Sequence, residues 1–132
     1  KCKIEDNTPH HADHRASSIE WAQFVLNLLA LITWTYTTVL LGKDLFTPEL
    51  SVTTVAAAQV SECFCVLEVV QIAVGMIRGR LVLGVLLHAT RCLIIFAIIP
   101  LVPAALPCKL VLLAWSATEL CRYPMLLTGK GM

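Results

Sequence analysis

Residues 21–42 read WAQFVLNLLALITWTYTTVLLG, an apolar run without a single charge, bounded by Glu20 on one side and Lys43-Asp44 on the other. Wound as an α-helix at about 1.5 Å per residue, it rises about 33 Å, enough to cross the roughly 30 Å hydrocarbon core of a bilayer. Trp21 suits an interfacial position at its edge. Three further runs of this kind follow. The spacing predicts spans over about 53–77, 81–101 and 109–127. Arg78-Gly79-Arg80 closes the second, and Pro100, Pro103 and Pro107 interrupt the helix after the third. The expected fold is therefore all-α, a polytopic transmembrane helix bundle with about four helices in residues 21–132.

Bulk composition agrees. The chain has 132 residues, 58% of them hydrophobic and 14% charged, with a mean hydropathy of +0.78. Soluble domains are about 45–50% apolar and about 25% charged. A soluble globule of this size buries only about 70% of its chain's surface and cannot hide such an excess, whereas lipid solvates it. The net charge of +1 offers no basic stripe for nucleic acid, so no nucleic-acid partner is expected. The lipid bilayer is the first partner.

Residues 1–20 are polar and lack a hydrophobic period, and they read as a solvated tail. Ser17 or Ser18, followed by Glu20, marks a helix start. The tail holds no short apolar signal segment, and a chain beginning at Lys1 reads as processed or incomplete. His10, His11, Asp13 and His14 have metal-ligand chemistry, but in a mobile tract they are expected to be solvated, and no metal is assigned. Cys63, Cys65, Cys92 and Cys121 fall within apolar runs, where cysteine packs as a small hydrophobe, so free thiols rather than disulfides are expected. Cys63 and Cys65 point about 200° apart on a helix, which argues against a joint metal site.

Four spans place the N-terminus, the loop after the second span and the C-terminus on one side. That side carries Lys1, Lys3, Arg15, Arg78, Arg80, Arg122 and Lys130, against Lys43 and Lys109 opposite. The positive-inside bias puts both termini in the cytosol.

Charges at membrane depth are the informative residues, because each costs roughly 2.5–3.5 kcal/mol at the centre of an inserted helix and so needs a partner or a purpose. Steps of three and four group Ser61, Cys65 and Glu68 on one face of the second span, Gly84, His88 and Arg91 on the third, and Ser116, Glu119 and Arg122 or Tyr123 on the fourth. Turning these faces together would let Glu68 and Glu119 neutralise Arg91 and Arg122. The expected polar cluster is Glu68, Arg91, Glu119, Arg122 and Tyr123, with helix registration as its plainest role. Glu62 lies about 240° from Glu68 on the helical wheel and is expected outside the cluster, near the interface. No phosphate-binding loop, serine-nucleophile elbow or zinc-protease helix is present. No Cys is followed six positions later by Arg, so a phosphatase-type cysteine loop is missing as well.

Trp115-Ser116-Ala117-Thr118-Glu119-Leu120-Cys121-Arg122-Tyr123 resembles the Trp-Ser-x-Thr-Glu-Ile-Ile-Arg-Tyr segment of very-long-chain (3R)-3-hydroxyacyl-CoA dehydratases, also called protein tyrosine phosphatase-like A proteins. Leu67-Glu68-Val69-Val70-Gln71 through Gly75-Met76-Ile77-Arg78 resembles the family's Leu-Glu-Ile-Leu-His…Gly-Leu-Val block, and Thr90-Arg91 stands where the family has Ser-Arg. The first span, with Asn27 and Trp34, is similar more loosely, so the likeness covers about residues 21–123. The chain departs from the pattern in having Gln71 for a family His, and Leu87, beside His88, for a family Gln.

The resemblance implies a six-helix fold in the endoplasmic reticulum membrane, of which about four helices are here. It implies a hydro-lyase of fatty-acid elongation that converts a long-chain 3-hydroxyacyl-CoA to the trans-2-enoyl-CoA, with fatty-acid elongase and reductase subunits as neighbours and no cofactor. The family's catalytic Tyr and Glu lie in a Tyr-Pro-x-Gly-x-x-x-Glu motif that would fall beyond Met132. Tyr123-Pro124 matches only its start, since Leu126 and Lys130 stand at its Gly and Glu positions. No catalytic residue is therefore assigned within the chain, and residues 1–132 alone are expected to be inactive. Arg78 and Arg80 are candidates for the CoA phosphates. The competing readings are a non-catalytic scaffold of the elongation machinery and a small transporter, the latter without the internal repeat that transporters commonly show.

Overall fold

A computed structural model describes the backbone of residues 10–129 and the side chains of residues 15 and 17–129. The His10, His11, Asp13 and His14 side chains, Cys2 and Lys130 lie outside the described residues. Four helices make up the described fold, and among these residues there is no strand: α1 (His10–Asp44), α2 (Val52–Ala73), α3 (Leu81–Leu101) and α4 (Leu106–Leu127). All four are long and apolar enough to cross a membrane. Short loops join them, so sequential neighbours run antiparallel. Packing places α1 against both α2 and α4, and α3 against α2, with Arg91 of α3 reaching α1 and α4 as well.

Helix boundaries follow from local chemistry. α1 begins well before the expected start at Trp21. No Gly or Pro lies between Pro9 and Gly42, and Ala12, Arg15, Ala16 and Glu20 are good helix formers, so the helix propagates into the polar segment. α2 starts at Ser51, whose hydroxyl accepts from the Thr54 N–H at 3.2 Å as an N-cap. It ends at Ala73, earlier than the expected 77. Gly75 adopts φ +81°, Met76 N–H donates to the Gln71 carbonyl at 2.9 Å and Gly75 N–H to Ile72 at 3.1 Å. This is a Schellman stop, which leaves Arg78-Gly79-Arg80 in the loop beyond it.

The prolines act differently from one another. Pro100 sits in the last turn of α3, and the helix widens to a π-helix over Leu93–Ile98 just before it. The extra residue in that stretch accommodates a ring that lacks an N–H and crowds the preceding turn. The Pro103 carbonyl accepts from Leu50 N–H at 3.0 Å, tying two loops together. Pro107, expected from the sequence to break a helix, instead opens α4 at Leu106, because a first-turn residue needs no N–H.

The apolar core is split. Leu41, Leu50, Ala58, Ile95, Ile99 and Leu112 close one end of the bundle. Ala30, Trp34, Cys65 and Tyr123 pack midway, where α1, α2 and α4 meet. Less than a third of each span is buried inside the chain. The outward faces are apolar instead, with Val82 83% and Leu101 81% exposed, as a bilayer environment demands.

Candidate functional site: a buried ionic network

α2, α3 and α4 each turn charged side chains inward, and these meet in one continuous network. On α4, Glu119 is 3% exposed. Its Oε1 accepts from Arg91 Nη1 of α3 at 2.5 Å, and its Oε2 from Arg122 Nε, one turn along its own helix, at 2.8 Å. Arg122 Nη2 then reaches Glu68 Oε2 of α2 at 3.1 Å and donates to the Tyr123 hydroxyl at 2.9 Å. Tyr123 lies 3.3 Å from Cys65 Sγ, which also accepts from Trp34 Nε1 at 3.3 Å. The residues Glu68, Arg91, Glu119, Arg122 and Tyr123 thus come together, and the chain of contacts continues into α1.

Glu62 joins them from the other side, and the sequence-based expectation that it stands apart near the interface is corrected. It is fully buried. Its Oε1 is 2.7 Å from His88 Nδ1 and its Oε2 is 3.0 Å from Arg91 Nη2. The reason is that α2 has two buried faces. Ser61, Cys65 and Glu68 face α1 and α4, where Ser61 meets Thr37 at 3.1 Å. Glu62 faces α3. A helical wheel drawn for one inward face cannot show the second.

Aromatic rings help to hold Arg91 in an apolar setting. Its guanidinium lies 5.1 Å from the Trp34 ring centre and 5.2 Å from that of Trp115. The negative ring faces stabilise a cation that water does not reach. Arg91 Nε and Nη2 are buried without a hydrogen-bond partner. Pairing of this kind is what a charge at membrane depth requires.

The remaining sequence candidates lie elsewhere. Arg78 and Arg80 are exposed on the loop between α2 and α3. Thr90 is exposed and bonds only the Leu86 carbonyl of its own helix, while Gln71 is half-buried. Cys63 and Cys121 are exposed and Cys65 and Cys108 buried, and none of the five described cysteines is in a disulfide. Among the described residues no group of three His, Cys, Asp or Glu could hold a metal ion.

One cluster was missed. Lys109, counted from the sequence with the residues outside the membrane, is 3% exposed. It donates to the carbonyls of Asp44 at 3.1 Å and Thr47 at 2.5 Å. A cation there complements the C-terminal end of α1, whose last carbonyls have no helical partner. Asp44 Oδ2 in turn accepts from Ser51 N–H at 2.7 Å and Thr54 Oγ1 at 2.5 Å. The signal for this clamp was the pairing of Lys109 with Asp44 near adjoining span ends.

A family model described as protein tyrosine phosphatase-like protein, PTPLA, matches residues 62–130, more than half of the chain. No curated protein and no solved structure matches the chain. The matched segment contains every charged member of the network, from Glu62 to Arg122.

Proposed function

This chain belongs to the protein tyrosine phosphatase-like (PTPLA) family, the family of very-long-chain 3-hydroxyacyl-CoA dehydratases, and from that premise we propose that it serves the dehydration step of fatty-acid elongation. In this reading a (3R)-3-hydroxyacyl-CoA loses water to give the trans-2-enoyl-CoA in the endoplasmic reticulum membrane, with the N-terminus of the chain cytosolic. The observation that carries the proposal is the interlocked network of Glu68, Arg91, Glu119 and Arg122, built wholly within the family-matched segment.

The chemistry needs a base to take the proton beside the thioester carbonyl and an acid to protonate the departing hydroxyl. Among the described residues, Glu62, Glu68 and Glu119 are each engaged with an arginine, and Glu62 with His88 as well. Their role in this proposal is to hold α2, α3 and α4 in register around a reaction whose acid and base they do not supply. A membrane bundle suits such a substrate, because a long acyl chain needs an apolar path while the CoA head stays in water. Arg78 and Arg80, exposed on one loop, would meet the CoA phosphates. Elongase and reductase subunits would be neighbours in the same membrane.

That full engagement of the carboxylates also favours a second reading, a non-catalytic scaffold of the elongation machinery. One assay separates the two. The gene product is expressed in cells lacking their own dehydratase, and membranes are given 3-hydroxypalmitoyl-CoA. Formation of the trans-2-enoyl thioester is expected. Abundant, membrane-inserted protein with no product would leave the scaffold reading in its place.

A further inference from the structure

Among the described residues the ionic network does not balance. It contains three carboxylates, Glu62, Glu68 and Glu119, and two guanidiniums, Arg91 and Arg122. The imbalance lies at its deepest part. The Arg122 side chain is 35% exposed, and its pair with Glu68 lies nearer the surface of the bundle. Glu62, Arg91 and Glu119 are almost wholly buried, and they set two carboxylates against one guanidinium. An uncompensated charge in such a place is strongly disfavoured, and groups so placed take up a proton instead.

The geometry locates the surplus. Both oxygens of Glu119 are held by guanidinium groups, Arg91 on one and Arg122 on the other. Glu62 shares only Arg91, and its Oε2 lies 3.0 Å from Nη2 without meeting hydrogen-bond geometry. The other oxygen, Oε1, rests 2.7 Å from His88 Nδ1. We propose that Glu62 and His88 form a proton-binding site in the membrane interior, occupied at neutral pH, whose proton supplies the network's missing positive charge. The proton is shared by the pair, as imidazolium on carboxylate or as imidazole on carboxylic acid, and either form brings the net charge to zero.

The neighbours of the pair leave it that task. From α3 the nearby groups are Arg91, already counted, and the Cys92 thiol. From α2 there is the Cys65 thiol, and from α4 Glu119, which adds negative charge. α1 presents the neutral Trp34, whose ring lies 5.1 Å from the Arg91 guanidinium. The site also links α3 to α2, so its occupancy bears on how firmly α3 is held. This inference stands apart from the dehydratase reading and uses only the charges present.

The test uses the whole chain in lipid nanodiscs, with nitrogen-15-labelled histidine. At about pH 7.5 a free imidazole is only about one-tenth protonated. His88, assigned by its loss in His88→Gln, should be fully imidazolium. If the proton rests on the carboxyl instead, infrared spectra should show a protonated-carboxyl band that disappears in Glu62→Gln. Either signal supports the site. In Glu62→Gln two carboxylates face two guanidiniums, and His88 should then be a neutral imidazole at the same pH. A neutral His88 with no protonated-carboxyl band in the unaltered protein overturns the proposal, and that result does not depend on any variant folding.

Discussion

Arg91 Nη1 donates to Glu119 Oε1 at 2.5 Å, and this contact joins α3 to α4 beside the Arg91–Trp115 stacking. Both side chains are buried. Each side chain has a second partner, Glu62 for Arg91 and Arg122 for Glu119. Removing Arg91 strands Glu62 in an apolar interior, whereas neutralising Glu119 leaves Arg91 paired with Glu62 and Arg122 with Glu68. Arg91→Met should therefore destabilise the bundle by about 3–5 kcal/mol, and Glu119→Gln by clearly less. Equilibrium unfolding in mixed micelles measures both. Equal losses for the two variants would show that Arg91 is not the shared partner of both carboxylates.

Gly75 carries a different kind of cost. Its φ of +81° ends α2, yet a Cβ placed there would meet nothing within 4 Å. Gly75→Ala should thus lose about 1–2 kcal/mol through backbone strain alone. Helicity by circular dichroism should be retained while the unfolding midpoint falls. A drop in helical content would point to a packing role instead.

Lys109→Met keeps the length and apolar stem of the side chain but removes the donor to the Asp44 and Thr47 carbonyls. Leaving such groups unpaired costs about 1–3 kcal/mol. Because the clamp holds the turn between α1 and α2, limited proteolysis should begin cutting near residues 45–50 in the variant. An unchanged digestion pattern would assign the loop's order to the Leu50–Pro103 bond instead.

Cysteine accessibility checks the helix rotations. Cys63 and Cys121 are exposed on the bundle surface, while Cys65 is fully buried. A membrane-permeant maleimide should label the first two in the folded protein and reach Cys65 only after denaturation. Mass spectrometry of the tryptic peptides reads the result, and rapid native labelling at Cys65 would contradict the packing of α2.

Arg78 and Arg80 bear on substrate. If they hold CoA phosphates, Arg78→Gln with Arg80→Gln in the active gene product should raise KM for 3-hydroxyacyl-CoA at least about ten-fold with little change in kcat, since one charge-assisted contact is worth about 1.5–3 kcal/mol and about 1.4 kcal/mol is ten-fold. An unaltered KM removes these residues from the substrate site.

Much of the fold was legible along the chain because the bilayer imposes a length and a polarity that each segment must meet by itself. The run 21–42 and its three successors satisfy that requirement one at a time, and their charged faces follow from the helical repeat. Local punctuation was read less well. Arg78-Gly79-Arg80 looked like the stop of α2, but Gly75 made it, since a left-handed residue ends a helix wherever it falls. Pro107 looked like a breaker and proved to be a starter, because the effect of proline depends on which turn it occupies.

What the sequence determined by itself was the number of spans, their polar faces, and the need of Glu68, Arg91, Glu119 and Arg122 for partners. Tertiary structure alone decided which partner each received. Periodicity describes angles around one helix axis and carries nothing about how far neighbouring helices rotate or how many lie against it. α2 has neighbours on two sides, α1 and α3. That arrangement turned Glu62 inward to His88 and Arg91, and it brought Lys109 back onto the end of α1.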